Sequence, residues 1–248
     1  AYDDNPAATS TETVDVTKIV ASAKCEDMKF WSPDSPNLYD VYTVIKDSEG
    51  NVLDVQKTTT GFRKVEYDIN DGGLKINDQP VWLTGYAQRS TNEWAVIGVA
   101  NDWLQDLDMQ WIKESNSNFI RWMHVAPKPS QIRSGDKYGV VSACPAGDKE
   151  ADVDGRAWDQ RVEAMRDAMI YFKNSPSVIF WEAGNNAVTA AHQQEMTDLK
   201  NILDPNGERF CGCRTISSTD QIQAADYVGT MLNRHASNAK ASMAAIKK

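Results

Sequence analysis

The sequence predicts a multidomain protein of β and α/β class, with a partial antiparallel β-sandwich followed by an incomplete (β/α)8 barrel. The first observation is a strand-turn-strand pattern between residues 39 and 58, in which apolar and polar residues alternate. The second is the alternation of strands and helices after residue 70, which is typical of parallel βα units. The third is the length, because 248 residues are too few for a sandwich and a barrel of about 250 residues.

Residues 1–69 are predicted to be mainly β structure. Tyr39–Lys46 and Val52–Thr58 are rich in β-branched and aromatic residues, and the polar segment between them predicts a hairpin turn. An earlier strand is predicted over Thr13–Ala21 and a later one near Gly61–Tyr67. About four strands are visible where a sandwich needs about seven, so residues 1–69 are predicted to form a sandwich domain without its beginning.

Residues 70–248 are predicted to form the barrel domain, without its end. An open doubly wound sheet is the alternative, but no glycine-rich phosphate loop follows the first strand. Helices are predicted over Asn101–Asn116, Trp158–Lys173 and Ala191–Leu203. Strands are predicted over Val81–Gly85, Phe119–His124, Tyr138–Ser142, Ser177–Trp181, Arg209–Ile216 and Ala225–Met231.

Composition excludes several classes of function. The net charge of −9 argues against a nucleic-acid binder that works through clustered basic residues. The apolar runs are far shorter than the roughly 18 to 20 residues of a membrane span, so no membrane contact is expected. The four cysteines form no CxxC pair, so no metal site is expected, and Cys211 and Cys213 are interpreted as buried free thiols.

Reactive groups of a barrel stand where its strands end. Arg121 and His124 lie at the end of the second predicted strand, and Trp181, Glu182 and Asn185 lie at the end of the fourth. Each residue has a structural alternative. Arg121 could neutralise buried carboxylates, His124 could be a hydrogen-bonded structural residue, and Glu182 could form an ion pair in the helical layer. Trp181 could pack in the core or present an aromatic surface to a sugar ring.

Several motifs in a fixed order resemble glycoside hydrolase family 2, the group of β-galactosidases, β-glucuronidases and β-mannosidases. Trp31–Tyr39 and Thr60–Arg63 resemble the Ig-like domain that precedes the family's TIM barrel. The other matching segments are Ile76–Gly85, Asn118–His124, Asp136–Gly139, Lys173–Val178 and Trp181–Asn185. The resemblance therefore implies an Ig-like β-sandwich before a TIM barrel.

The resemblance implies a retaining mechanism with two carboxyl groups and no cofactor. The family's acid/base glutamate follows an asparagine at the end of strand four. Asn185 matches that asparagine, but the next residue is Asn186, whose amide cannot donate a proton to a leaving oxygen. Glu182 is the candidate substitute for the missing acid. The nucleophile belongs near strand seven and cannot be assigned. Arg121, His124, Asn185 and Trp181 are the implied substrate-binding residues.

Three hypotheses follow from this pattern. The first is a β-glycosidase, with β-galactosidase as the expected activity. The second is a degenerate glycosidase that binds carbohydrate without hydrolysing it, motivated by Asn186. The third is an inactive fragment. The expected partners are a carbohydrate substrate and either the missing remainder of the barrel or a second copy of the chain, and the expected location is secreted or periplasmic.

Overall fold

The computed structural model describes residues 25–68, 70–89, 101–147, 151–206, 208–215 and 218–229. The predicted strand over Thr13–Ala21 lies outside these residues. Within them, antiparallel β structure comes first and a parallel sheet with helices follows. This order confirms the predicted fold class.

Seven strands of the described residues form the antiparallel part, and the predicted hairpin is its largest unit. Its two strands pair from Tyr39 with Thr60 to Lys46 with Val52, as their alternating sequence predicts. The strands are β1 (Trp31–Ser32), β2 (Ser35–Pro36), β3 (Tyr39–Lys46), β4 (Val52–Thr60), β5 (Val65–Asp68), β6 (Gly73–Ile76) and β7 (Gln79–Pro80). The predicted boundary between residues 69 and 70 falls between β5 and β6, which pair with each other.

A six-stranded parallel sheet forms the second part, in the order β13-β12-β11-β10-β9-β8. Its strands are β8 (Gly85–Arg89), β9 (Phe119–Met123), β10 (Val141–Pro145), β11 (Val178–Glu182), β12 (Phe210–Cys213) and β13 (Tyr227–Val228). Its helices are α1 (Asp102–Glu114), α2 (Pro129–Tyr138), α3 (Arg156–Phe172), α4 (Ala190–Leu203) and α5 (Thr219–Ala224). None of the helices among the described residues combines the length and apolar character needed to cross a membrane.

The two faces of the parallel sheet pack against different elements. Ile120, Trp122 and Trp181 pack with residues of α1, α3 and α4 in the larger hydrophobic cluster. Ile179 and Phe180 belong to a second cluster that includes Trp31. One face of the sheet therefore carries the helices, and the antiparallel strands cover part of the other face.

Buried polar contacts join the antiparallel strands to the parallel sheet. The indole nitrogen of Trp31 donates to the carbonyl oxygen of Asp136 at 2.8 Å. The Arg63 guanidinium donates to the carbonyl oxygens of Pro176 at 2.5 Å and Val178 at 2.9 Å. Backbone carbonyls in a buried position need such donors, so these contacts fix the antiparallel part against Asp136 and the start of β11.

Three predictions about the elements need correction. The strand predicted over Tyr138–Ser142 is Val141–Pro145, because Tyr138 is the last residue of α2. The first barrel strand is Gly85–Arg89 and not Val81–Gly85. The backbone of Val81 donates to Leu74, and the Thr84 N–H donates to the Asn118 side chain, so this apolar segment is bonded to β6 and to the loop before β9. Helix α2 has no predicted counterpart because it buries mainly polar residues, among them Gln131, and so lacks the apolar period of a helix.

We predict that Asp136 makes stability depend on pH. Its carboxylate accepts from the Ser177 N–H at 3.0 Å, and burial raises its pKa to about 6. The pKa of an aspartate in the unfolded chain is about 4, so the folded state favours the protonated form of Asp136. The contribution of Asp136 to stability is therefore full below about pH 4 and is lost as pH rises through about 6. Asp136→Asn keeps a neutral acceptor for Ser177. We expect its free energy of unfolding to exceed that of the native chain by about 2 to 3 kcal/mol near pH 8 and to equal it near pH 4.

Urea unfolding curves at several pH values measure this difference. Asp167→Asn, an exposed change on α3, is the matched control and should shift stability by less than about 0.5 kcal/mol. A constant difference between Asp136→Asn and the native chain at all pH values would contradict the prediction.

Candidate active site

A trough of about 270 Å³ opens on the face of the parallel sheet opposite the helices. Its apolar floor comes from inward-facing residues of β9, β10, β11 and β13. Glu182 and Arg214 lie where β11 and β12 end, and Arg121 lies in the middle of β9. The lining residues are Leu83, Phe119, Arg121, Ala143, Phe180, Glu182, Arg214, Tyr227, Val228 and Gly229. The carboxyl edge of a parallel sheet is the usual place for a ligand site, and the trough has the mixed lining that such a site needs.

Arg121 and Glu182 form an ion pair across β10. The Arg121 Nε donates to Glu182 Oε2 at 2.6 Å, and Nη2 donates to Oε1, so the pair is bidentate. The Glu182 side chain is 2% exposed and that of Arg121 is 14% exposed. Burial raises the pKa of Glu182, and the hydrogen bonds from Arg121 oppose that rise. Proton transfer from Glu182 to a ligand would require this pair to open.

The ion pair also orients Asn185. The Arg121 Nη2 donates to Asn185 Oδ1 at 2.9 Å, and Asn185 is buried. Because the amide oxygen accepts from the guanidinium, the amide nitrogen is left as a donor. Asn185 therefore offers an N–H group at the mouth of the sheet, which is the group that can bind a sugar hydroxyl.

Asn186 is exposed and is held by Arg214, the residue after β12. The Arg214 Nη2 donates to Asn186 Oδ1 at 3.0 Å, and its Nε donates to the Asn185 carbonyl oxygen at 2.9 Å. The contact fixes the Asn186 oxygen as an acceptor and its nitrogen as a donor. Both asparagines thus present hydrogen-bond donors, and neither side chain can act as an acid.

The tight turn that carries the two asparagines depends on Gly184 and Cys213. A Cβ atom at Gly184 would lie 2.7 Å from Cγ1 of the buried Val188, so a larger residue would force Val188 or the turn to move. The Cys213 sulfur lies 2.9 Å from the carbonyl oxygens of Gly184 and Asn186. The thiol is buried and free, as predicted for both Cys211 and Cys213. Burial raises the pKa of Cys213, so the neutral thiol is the form that supports the turn.

Two of the predicted substrate-binding residues have different positions from Arg121 and Asn185. Trp181 is 1% exposed and packs among the helices, so the expectation that it stacks on a sugar at the trough is wrong in this structure. The physical reason is strand alternation, which turns Trp181 to one face and Glu182 to the other. His124 is buried directly after β9 and, like Asn185, is not among the described residues that line the trough.

The sequence analysis assigned no role at the site to Cys213 or Arg214. Their signal is present in the Cys211–Arg214 segment, because a cation at the end of the fifth barrel strand belongs to the same edge as Arg121. In the described part of the chain, no group of three or more His, Cys, Asp or Glu residues is placed to hold a metal ion.

Two family models match this chain. One, described as glycosyl hydrolases family 2, matches residues 2–63, and another, described as the TIM barrel domain of glycosyl hydrolases family 2, matches residues 67–237. A β-glucuronidase of Formosa agariphila is 35% identical over 198 residues, which are 79% of this chain and 20% of that protein. A β-galactosidase of Photobacterium profundum is 28% identical over 71% of this chain and 18% of its own length.

Solved structures of glycoside hydrolase family 2 proteins are also similar to this chain. A β-glucuronidase from glycoside hydrolase family 2 is 36% identical and has a TM-score of 0.69, covering 75% of this chain and 20% of that one. A β-glucuronidase of Bacteroides uniformis, 24% identical with a TM-score of 0.69 and covering 88% of this chain and 29% of that one, shares the fold. The chain spans about a fifth of the length of the curated relatives that it matches. It belongs to glycosyl hydrolases family 2 and carries part of that family's TIM barrel domain.

Proposed function

We propose that this chain forms the sugar-binding part of the active site in a β-glycosidase. The observation that carries the proposal is the linked group of Arg121, Glu182 and Asn185, in which the ion pair lines the trough and binds the Asn185 amide oxygen, leaving its N–H as a donor. A fixed donor of this kind can hold a ring hydroxyl in one orientation, which is the positioning that glycosyl transfer needs. The carboxylate nucleophile would come from a part of the longer protein that follows these residues.

The proposed mechanism is retaining, but its first step lacks a carboxylic acid at the usual place. Asn186 stands where the family carries its acid/base glutamate, and an amide gives up no proton near neutral pH. We therefore propose that the enzyme cleaves substrates whose leaving group departs as a stable anion. Glu182 serves as the partner that positions Arg121 and Asn185, since the guanidinium bonds occupy both of its oxygens.

The sugar that we favour is a β-linked glucuronic acid. The support is the 35% identity to a protein named β-glucuronidase, compared with 28% for a protein named β-galactosidase. The galactosidase activity expected from the sequence stays a prediction, and substrates of both kinds belong in the test. We retain the expectation of a secreted or periplasmic location, and of the remainder of the barrel as the partner of the open sheet.

Binding without hydrolysis is the second candidate function. The observation that favours it is the absence, among the described residues lining the trough, of a carboxyl group other than Glu182, which is paired with Arg121. Binding of free glucuronic acid or galactose, without turnover of any aryl glycoside by the longer protein, would establish this function instead.

We expect Asn186→Glu in the longer protein to raise kcat on nitrophenyl β-glucuronide by at least ~10-fold, since general-acid catalysis is worth about 10²- to 10⁴-fold. The gain should be largest below neutral pH, because the Arg214 guanidinium beside the new carboxyl group lowers its pKa. The kcat on dinitrophenyl β-glucuronide should change little, because its leaving group needs no proton. Steady-state kinetics on both glycosides measure the effect.

Asn206→Glu adds the same charge in an exposed loop and is the matched control. Rates that are unchanged by Asn186→Glu, together with efficient native turnover of the nitrophenyl substrate, would mean that another segment supplies the acid.

We expect Glu182→Gln to destabilise the fold and weaken sugar binding together. The change leaves the mostly buried Arg121 guanidinium without its anion, and breaking such a pair from one side costs about 3 to 5 kcal/mol. Loss of Asn185 orientation should raise KM by a similar factor for every leaving group. Urea unfolding and the two aryl glycosides measure both effects.

Glu163→Gln removes one partner of an exposed pair with Arg166 on α3 and should cost less than about 1 kcal/mol. A Glu182→Gln variant of native stability that fails only on poor leaving groups would identify Glu182 as the acid and refute its positioning role.

A further inference from the structure

Arg214 places a second cation at the mouth of the sheet. Its described partners are the carbonyl oxygen of Asn185 and the amide oxygen of Asn186, which are both neutral. The carboxylate of Glu182, which lines the same trough, is bonded through both oxygens to Arg121. The charged residues lining the trough are therefore two arginines and one glutamate, in a chain whose net charge is −9.

This local excess of positive charge lies at the position of the missing acid. Arg214 donates a hydrogen bond to Asn186, the residue that replaces the family's acid/base glutamate. Its guanidinium therefore lies within hydrogen-bonding distance of the side chain at that position. A guanidinium beside a carboxylic acid would favour the ionised form and so weaken the acid. The same guanidinium beside a negatively charged oxygen stabilises it. The surroundings of Asn186 thus suit a leaving anion better than a proton donor.

We propose that Arg214 is a catalytic residue that stabilises the departing oxygen of the substrate, a role that rests on the function proposed above. The bond between the anomeric carbon and the glycosidic oxygen breaks, and its electron pair leaves with the oxygen. The nucleophile of the longer protein forms the new bond to the anomeric carbon. Arg214 donates a hydrogen bond to the oxygen and keeps its own proton, because guanidinium does not deprotonate in proteins.

Solvent completes the proton balance of this reaction. The released anion takes a proton from water if its basicity requires one. Water then hydrolyses the glycosyl ester and returns a proton to the solvent. The chemical class of substrate that follows is a β-glycoside with an acidic aglycone, such as a phenol or an enol, because guanidinium stabilises an oxyanion without neutralising it.

The test is the dependence of kcat/KM on the leaving group in the longer protein. We compare native protein, Arg214→Met and Arg214→Lys on methyl, nitrophenyl and dinitrophenyl β-glucuronides and β-galactosides. One preorganised donor to an oxyanion is worth about 10²- to 10³-fold in rate. We expect Arg214→Met to lose about 100-fold on the nitrophenyl substrate and less than about 10-fold on the dinitrophenyl substrate. Arg214→Lys should recover part of the nitrophenyl rate.

Arg166→Met removes a charge from the exposed pair on α3 and is the control, expected to leave all rates within about twofold. Urea unfolding shows whether each variant is folded. An equal loss on every substrate would overturn the proposal and reduce Arg214 to a support of the Asn185–Asn186 turn. Absence of native turnover on every glycoside would instead refute the glycosidase function together with this role.

Discussion

The Arg121 guanidinium and the Glu182 carboxylate meet inside the parallel sheet, and the arrangement of the polar groups at its mouth depends on this pair. The two residues lie on β9 and β11, 61 positions apart in sequence, with β10 between them. A charge in this position is costly unless a partner compensates it with good geometry, and a bidentate contact provides that geometry. The same guanidinium donates to Asn185 Oδ1, so the pair also orients the Asn185 amide.

The turn after β11 is fixed from a second side by β12. Cys213 contacts the backbone of the turn, and Arg214 bonds to both asparagines. Arg214 holds the Asn186 side chain and Arg121 holds that of Asn185, so both amide nitrogens are left as hydrogen-bond donors. Donors and cations stabilise negative charge on oxygen, whereas only an acid can neutralise it. Asn186 therefore leaves the site without an acid at the position to which the family resemblance assigns one.

The opposite end of the sheet has its own set of buried cations. Arg63 and Arg209 both donate to the Val178 carbonyl oxygen at the start of β11. Arg209 also donates to Lys173 and Ser175, so the chain between α3 and β11 is held by side chains from distant elements. Because β11 is fixed at its start by these residues and at its end by Arg121, the position of Glu182 is well defined. Strand β11 thus connects the buried contacts at one end of the sheet with the ion pair at the other.

The sequence by itself determined most of the order of the elements, though not α2, and the presence of an amide at Asn186, because alternation, helical period and residue identity are local properties. It also indicated Arg121 and Asn185 as neighbours, since parallel strands bring their carboxyl ends to one edge. Only the tertiary structure decided that Glu182 pairs with Arg121, that Trp181 faces the helices and that Arg214 holds Asn186. These outcomes depend on strand register and on partners across the sheet, and a linear pattern does not specify which charged groups meet in space.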